Sequence, residues 1–289
     1  MSDGAARTAL GPIAMVAIEQ GFPDNRRILD DDLAHRFLPL ALRVLVWSAR
    51  YDSMRNRRVR ASEKSRPGVW SGVMCRKRYI DEKLCESIDD VGAIVNLGAG
   101  FDTRAYRLRA VAEMPIWEVD QPENVKQKRA RLRKVFGAVP AHVRLVPSDL
   151  DREEPGAALA AHGYRAGERT FFIWEAVTQY LTESGVRATF ELLARAARGS
   201  RLAFTYGRKD FVDGRALYGQ EVRYEKTVVR DGLWRFGMEP KEVCHVLRTH
   251  GWRAIEHLGY EELAERYVRP TGRNLASTPL ERMVYAEKS

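Results

Sequence analysis

Apolar residues recur along this chain with two different periods, and the change between them falls near residue 90. Before it the spacing is helical. Ala9, Ile13, Val16, Ala17 and Ile18 share one helical face. Asp30, Asp31 and Asp32 read as a helix start that leads into Leu33, Phe37, Leu40, Ala41, Val44 and Leu45. Residues 51–70 carry many charges with poor apolar periodicity and read as loop. The helical pattern returns over residues 76–87, with Ile80 and Leu84 on the buried side. From residue 93 short, nearly unbroken apolar runs take over, at 93–97, 116–120, 143–146, 171–175 and 201–206. Helix-like segments separate them at 103–112, 122–136, 152–162 and 183–198. Strands alternating with helices predict a parallel sheet covered on both faces. After a long insertion at 207–236 come a helix at 239–250, a strand at 252–257 and a last strand at 283–286, for seven strands in all; the stretch joining the last two shows little regular pattern.

Composition narrows the class. With 45% hydrophobic and 30% charged residues over 289 positions, the chain reads as globular and soluble. The most apolar stretch, around residues 38–47, is too short for a membrane span and contains Arg43. The first thirty residues lack a basic start followed by an apolar run, so no secretory signal is expected. Cys75, Cys85 and Cys244 are scattered, which suggests neither a disulfide framework nor a zinc site; no metal is expected, and a reducing cytoplasm is the natural setting. The net charge of +9 admits an acidic partner, nucleic acid included. It is concentrated in two groups. Lys126, Lys128, Arg129, Arg131, Arg133 and Lys134 read as the solvated face of a helix. Arg50, Arg55, Arg57, Arg58, Arg60, Lys64 and Arg66 read either as a mobile loop or as a clamp on an anionic ligand.

The most informative stretch is Val95-Asn96-Leu97-Gly98-Ala99-Gly100-Phe101-Asp102-Thr103-Arg104, a buried strand running through glycines into a helix. Glycine there permits a tight turn and close backbone approach to a ligand, at the strand end where open α/β sheets bind ligands. Asp120 ends the next strand 22 residues after Gly98, placed to accept hydrogen bonds from ribose hydroxyls. A dinucleotide site would favour a third glycine where Thr103 stands, and no phosphate-binding Gly-Lys-Ser/Thr loop occurs. A nucleoside without phosphates fits better, and S-adenosylmethionine is such a ligand. Asp149 after the third strand could accept from the adenine amino group, and Leu150 could donate its N–H to a ring nitrogen. Glu175, ending the fourth strand, could hold the methionine ammonium or line the reaction face.

Together these residues make the chain resemble the leucine carboxyl methyltransferase family. The resemblance is carried by Arg76-Lys77-Arg78-Tyr79-Ile80-Asp81, the glycine motif extended through Ala105-Tyr106-Arg107-Leu108, Glu118-Val119-Asp120-Gln121-Pro122, Asp149-Leu150, and Glu175-Ala176-Val177-Thr178-Gln179-Tyr180-Leu181. It spans about residues 8–287. It implies an α/β, Rossmann-like seven-stranded methyltransferase sheet, mostly parallel with an antiparallel last strand. Residues 1–90 would form an N-terminal helical cap and residues 91–289 the S-adenosylmethionine-binding domain, with residues 207–236 as a lid insertion. By the same resemblance Arg76 would pair with the cofactor carboxylate, with Arg78 as the other candidate. Gly98 would contact the methionine part, Asp120 the ribose, and Asp149 with Leu150 the adenine. Gly100, Asp102, Gln121 and Glu175 stand in the same motifs and are further candidate contacts. In the phosphatase-modifying members the Asp-Leu pair is followed by an arginine that grips the peptide carboxylate. Here Asp151 takes that place, with Arg152 next, which favours a small-molecule acceptor of the kind met in bacterial polyketide O-methyltransferases.

Methyl transfer from a sulfonium is an in-line displacement, so alignment and exclusion of water are the main needs. A carboxylic acid with a pKa of about 4 is already ionised at neutral pH, whereas a phenol near about 10 benefits from a base. No histidine–aspartate pair with a legible motif stands out, which leans towards carboxyl methylation, with a phenolic hydroxyl as the alternative acceptor. Candidates for a part in catalysis are Tyr180, Tyr206, Arg208 and His245, although His245 shares a helical face with Val243, Val246 and Leu247. His35, His142, His162, His250 and His257 have no better claim. The insertion supplies Phe211, Tyr218, Tyr224, Trp234 and Phe236, suited to a flat or hydrophobic acceptor, and Arg208 or Arg223 for an acidic one. Nucleic acid and protein carboxyls rank below a small molecule: no RNA-binding module and no Asn-Pro-Pro-Tyr-type motif is present. No membrane partner is expected, and the sequence is compatible with a homodimer.

Overall fold

The computed structural model describes residues 10–289; Ala9, at the start of the first expected helix, lies outside them. The five apolar runs are strands: β1 (Ala93–Leu97), β2 (Ile116–Asp120), β3 (Val143–Pro147), β4 (Thr170–Trp174) and β5 (Arg201–Gly207). Every residue of β1, β2 and β4 is buried, as strands covered on both faces require. With β6 (Trp252–Gly259) and β7 (Glu281–Lys288) they form one sheet in the order β3-β2-β1-β4-β5-β7-β6. The first five pair in parallel, and β7 runs antiparallel to both its neighbours. The order reverses between β1 and β4, so a crevice opens outside their carboxyl ends.

Strand alternation sends successive side chains into two separate cores. Ile94, Ile116, Phe171, Ile173 and Met283 face α1 (Leu10–Glu19) and α4 (Val69–Glu86), sharing a core with Ile13, Val16, Met74 and Tyr79. Val95, Trp117, Phe172 and Trp174 face the other way, towards Leu159, Phe190 and Leu247. The N-terminal helices therefore complete the sheet's own core.

Four expectations differ from what is found. Residues 51–70 are largely helical: α3 (Asp52–Ser65) follows α2 (Leu40–Ser48) and precedes α4. Only Val59 and Arg55 of α3 are buried. Arg55 packs its stem inwards, with its guanidinium 4.4 Å from the Phe22 ring centroid and 2.7 Å from Asp52 Oδ1. An arginine that packs as a hydrophobe escapes an apolar-periodicity reading. The aspartates at 30–32 start only a 3-10 turn, Ala34–Phe37, in which Asp31 Oδ1 accepts from the N–H groups of Leu33 and Ala34 at 3.2 and 2.9 Å; α2 begins after Pro39, which cannot sit inside a helix. The helix expected over 103–112 is one turn, α5 (Arg104–Arg107), followed by a 3-10 turn. The unpatterned stretch before β7 holds α12, Tyr260–Tyr267, which buries Tyr260, Leu263 and Tyr267. Between β2 and α12 run α6 (Pro122–Phe136), α7 (Pro155–Ala161), α8 (Glu183–Ala194), α9 (Lys209–Val212), α10 (Glu221–Tyr224) and α11 (Pro240–Thr249). The segment 207–236 contains α9, α10 and a π-helical turn, with Phe211 and Trp234 in a small core of their own.

Candidate functional site

The crevice at the switch point is a cavity of about 1190 Å³. Its floor begins where β1 ends. Gly98 has φ +73°, and a Cβ there would lie 2.3 Å from a Val177 methyl, so both backbone and space demand glycine. Gly100, at φ +44°, turns its N–H onto Asp120 Oδ2 at 2.6 Å. The other oxygen, Oδ1, accepts from the Gln121 N–H and from Asn124 Nδ2, both at 2.7 Å. Three N–H donors thus hold the Asp120 carboxylate across the crevice from the glycine turn. Each carboxylate oxygen offers two lone pairs, so Oδ2, which has one protein partner here, can accept further. Next to it, the Ser148 hydroxyl lines the cavity, buried and without a partner.

The second part of the floor is ionic. Glu175, at the end of β4, accepts from Arg76 Nε at 2.9 Å and Arg104 Nη1 at 2.7 Å, with Lys77 Nζ 3.4 Å away. Arg104 also meets Asp81 at 2.6 Å and pairs closely with Asp102, which accepts in turn from Asn96 Nδ2 at 3.0 Å. Arg107 links Asp81 to Asp31, and Thr103 Oγ1 donates to Asp31 at 2.5 Å. Burial works to raise the Glu175 carboxyl, but Lys77, Arg104 and Arg76 outweigh it and bring it down to about 2. For Asp102 burial is likewise overcome, by Arg104 and Lys77, and the group lies well below the usual carboxylate range. Both are charged at neutral pH. Ala176, next to Glu175, is held at φ +56° with its N–H on Thr205 Oγ1 at 2.7 Å, an uncommon conformation kept at the cavity wall.

The opposite wall comes from distant segments: Val69 and Val73 of α4, Tyr180, Glu281 of β7, and Val222, Arg223, Lys226 and Trp234 of the insertion. The Arg223 guanidinium lies 4.9 Å from the Trp234 ring centroid and 3.4 Å from Glu281 Oε1. Among the described residues no histidine lines the cavity.

Of the expected site residues, Arg76, Gly98, Gly100, Asp102, Asp120, Gln121, Leu150, Glu175 and Tyr180 line this one cavity. The others do not. Arg78 turns outwards to Glu82 and the Ile28 carbonyl, both at 3.0 Å, and lies over Tyr267, which leaves Arg76 as the inward arginine. Asp149 uses Oδ1 to cap the following turn, accepting from the Asp151 N–H at 3.0 Å. Tyr206 is fully buried on the side of β5 that carries Phe204, and its hydroxyl bonds to His257 Nε2 at 2.7 Å. Arg208 pairs with Asp210 at 2.6 Å beneath Tyr218. His245 is exposed because Val243 and Leu247 take the inward face of α11. Tyr206, Arg208 and His245 therefore stand outside this cavity. The sequence assigns no site role to Asp31, Lys77, Asn96, Arg104, Asn124 or Ser148; all but Asp31 stand within or a few residues from the quoted motifs, whereas Asp31, read there only as part of a helix start, is brought in by folding alone.

A family model described as leucine carboxyl methyltransferase matches residues 9–194. A relative in Mycolicibacterium gilvum is 34% identical over 221 residues, covering 74% of this chain and 71% of its own length. One in Mycolicibacterium smegmatis is 32% identical over 190 residues, 63% of this chain and 62% of the relative. Both are named provisionally as S-adenosyl-L-methionine-dependent methyltransferases. The chain spans less than two thirds of the length of the first such relatives, 62% and 64%. Among solved structures, a protein of Thermobifida fusca named provisionally as a methyltransferase superposes with a TM-score of 0.58 at 11% identity, over 82% of this chain and 88% of its own, a likeness of fold. The matched span contains the glycine turn, Asp120 and Glu175, and the chain belongs to the leucine carboxyl methyltransferase family.

Proposed function

We propose that the protein is an S-adenosylmethionine-dependent O-methyltransferase that esterifies a carboxylate on a small, partly apolar molecule of the natural-product kind. The observation that carries this reading is the cavity itself. It runs from the glycine turn and Asp120 to a wall of Tyr180, Trp234, Arg223 and Lys226, with no histidine among the described residues that line it.

The residues present fit the cofactor. An adenosyl group brings hydroxyls and ring nitrogens, and the unpartnered Ser148 hydroxyl and the Asp120 carboxylate are open to such groups at one end. A methionine part brings a carboxylate and an ammonium, and at the other end Arg76 and Glu175 present both signs. When bound, the cofactor supplies an activated methyl group. The chain's own task is then to bind, orient and dry the reactants. Gly98 and Gly100 bring backbone close, Asp120 holds the sugar, and Glu175 stays ionised because three cations surround it. Arg223 and Lys226 attract an anionic acceptor, while Val69, Val73 and Trp234 exclude water around it. An acceptor carboxylate arrives deprotonated, so the cavity needs no proton acceptor. Asp151 supports a free small molecule over a protein terminus: its carboxylate accepts from the Thr182 N–H at 2.7 Å and pairs closely with Arg235, so it offers no cation to a peptide end.

Incubation of the protein and labelled donor with a metabolite extract tests this. The expected product is an alkali-labile methyl ester, formed at a rate nearly flat between about pH 6 and 8 because the acceptor ionises near about 4. An alkali-stable product, with a rate climbing steeply above about pH 7, would assign a phenolic acceptor instead.

A further inference from the structure

Helix α2 buries none of its residues. Leu40, Val44 and Trp47 are 76%, 63% and 58% exposed, and their spacing of four and three puts them on one face. Tyr51, 53% exposed, continues the stripe, its ring edge-on to Trp47 with centroids 6.4 Å apart. A contiguous apolar strip on the outside of a domain marks a contact with something else.

The charge beside it is mostly positive. The Arg50 guanidinium sits 3.7 Å from the Trp47 ring centroid and donates to the Tyr51 hydroxyl at 2.6 Å. On α3, Arg57, Arg60 and Lys64 are exposed, and the carboxylate that starts this helix, Asp52, pairs with Arg55. The stretch is helix rather than loop; Arg66 lines the cavity, where a clamp on an anionic ligand would sit, while Arg57, Arg60 and Lys64 form an exposed cationic helix face.

Three kinds of occupant can be weighed. A second copy, joined by a two-fold axis, would meet its own image and set these cations against each other. A nucleic acid would satisfy the cations but leave Leu40 and Val44 without a partner. An anionic bilayer satisfies both: aliphatic side chains enter the acyl boundary, Trp and Tyr sit at headgroup depth, and arginines meet lipid phosphates. We infer that α2 and the face of α3 beside it dock the protein peripherally on an anionic lipid surface. This differs from spanning: among the described residues no helix is long and apolar enough to cross a membrane. The dock lies next to the cavity. Ala17 and Ile18 of α1 border the groove under α2, while Gly11, Pro12 and Met15 of the same helix line the cavity. An apolar molecule dissolved in the lipid would meet the protein beside the cavity.

Sedimentation with phosphatidylcholine vesicles, with and without phosphatidylglycerol, tests the inference without reference to methyl transfer. The full chain is expected to pellet with phosphatidylglycerol vesicles about tenfold or more over neutral ones, and less as salt rises. Val44→Ser with Trp47→Ser removes the apolar stripe at exposed positions and is expected to abolish pelleting with an unchanged melting temperature. Arg57→Glu with Arg60→Glu is expected to abolish the preference for anionic vesicles. Wild-type protein that stays in the supernatant, or a serine variant that pellets as the wild type does, overturns the inference. So does a concentration-dependent dimer without vesicles that the serine pair dissolves, since the stripe would then belong to a second copy.

Discussion

The two walls of the cavity are built in opposite ways. The floor draws on strand ends and the turns after them: Gly98 and Gly100 after β1, Asp120 ending β2, Ser148 after β3 and Glu175 after β4. Parallel strands in register bring these positions together, and hydrogen bonds then lock them. The facing wall is assembled from α4, the turn after β4, the insertion and β7, which meet only in the finished fold, and Val222 and Lys226 on it remain exposed. The difference teaches that the strand ends of the floor are fixed locally, by turns and hydrogen bonds, whereas the facing wall exists only once distant segments have met; under the proposed function, selectivity for the acceptor rests on that wall.

Four substitutions break or sharpen that contrast. The largest effect is expected from Arg104→Met. It takes one cation at once from Asp81, Asp102 and Glu175 in a buried site, and removing one partner of a buried ion network costs about 3–5 kcal/mol, readable by urea unfolding. The acid limb of the stability curve should move as well. Glu175 lies at about 2 in the fold against an ordinary 4.5, so its contribution is complete above pH 4.5 and is lost as pH falls towards 2. Without Arg104 the folded value rises, and the loss should begin at higher pH. Next, Asp120→Ala should weaken S-adenosylmethionine binding by about 1–3 kcal/mol in a calorimetric titration; unchanged affinity in a folded variant would remove the ribose assignment. Tyr206→Phe should cost about 1 kcal/mol of stability through its lost bond to His257 and leave turnover as it was. A large loss of kcat would return Tyr206 to the chemistry. Lys226→Ala is expected to change stability by less than about 0.5 kcal/mol. It should raise KM for the acceptor several-fold while leaving cofactor affinity unchanged; a shift in cofactor affinity would show that the two walls are not separate.

The legibility of the molecule follows the same division. The central strands were readable because a strand covered on both faces is mostly apolar. The glycine turn and Asp120 were readable because close backbone approach and a fixed carboxylate constrain residue type position by position. Helix α3 was not, since Arg55 does there what a leucine would do elsewhere. Helix α12 does carry a signal, since Tyr260, Leu263 and Tyr267 recur at helical spacing and are buried. Tyr206 and His245 had the right chemistry, but strand alternation and the inward face of α11 turn them away from the cavity. The motif around Arg76 and Arg78 left two arginines open, and packing chose between them.

By itself the sequence determined the fold class, the glycine turn and its acid, because each is a local demand on backbone shape or burial that a few consecutive residues must meet. Only the tertiary structure decided that Asp31, Asp81, Arg104 and Glu175 form one buried network, that Arg76 faces inwards, and that the insertion meets β7 through Arg223 and Glu281. The physical reason is range: the energy of a buried ion pair depends on who stands within a few ångströms, and neighbours such as Arg76 and Glu175, 99 positions apart, carry no mark of each other along the chain.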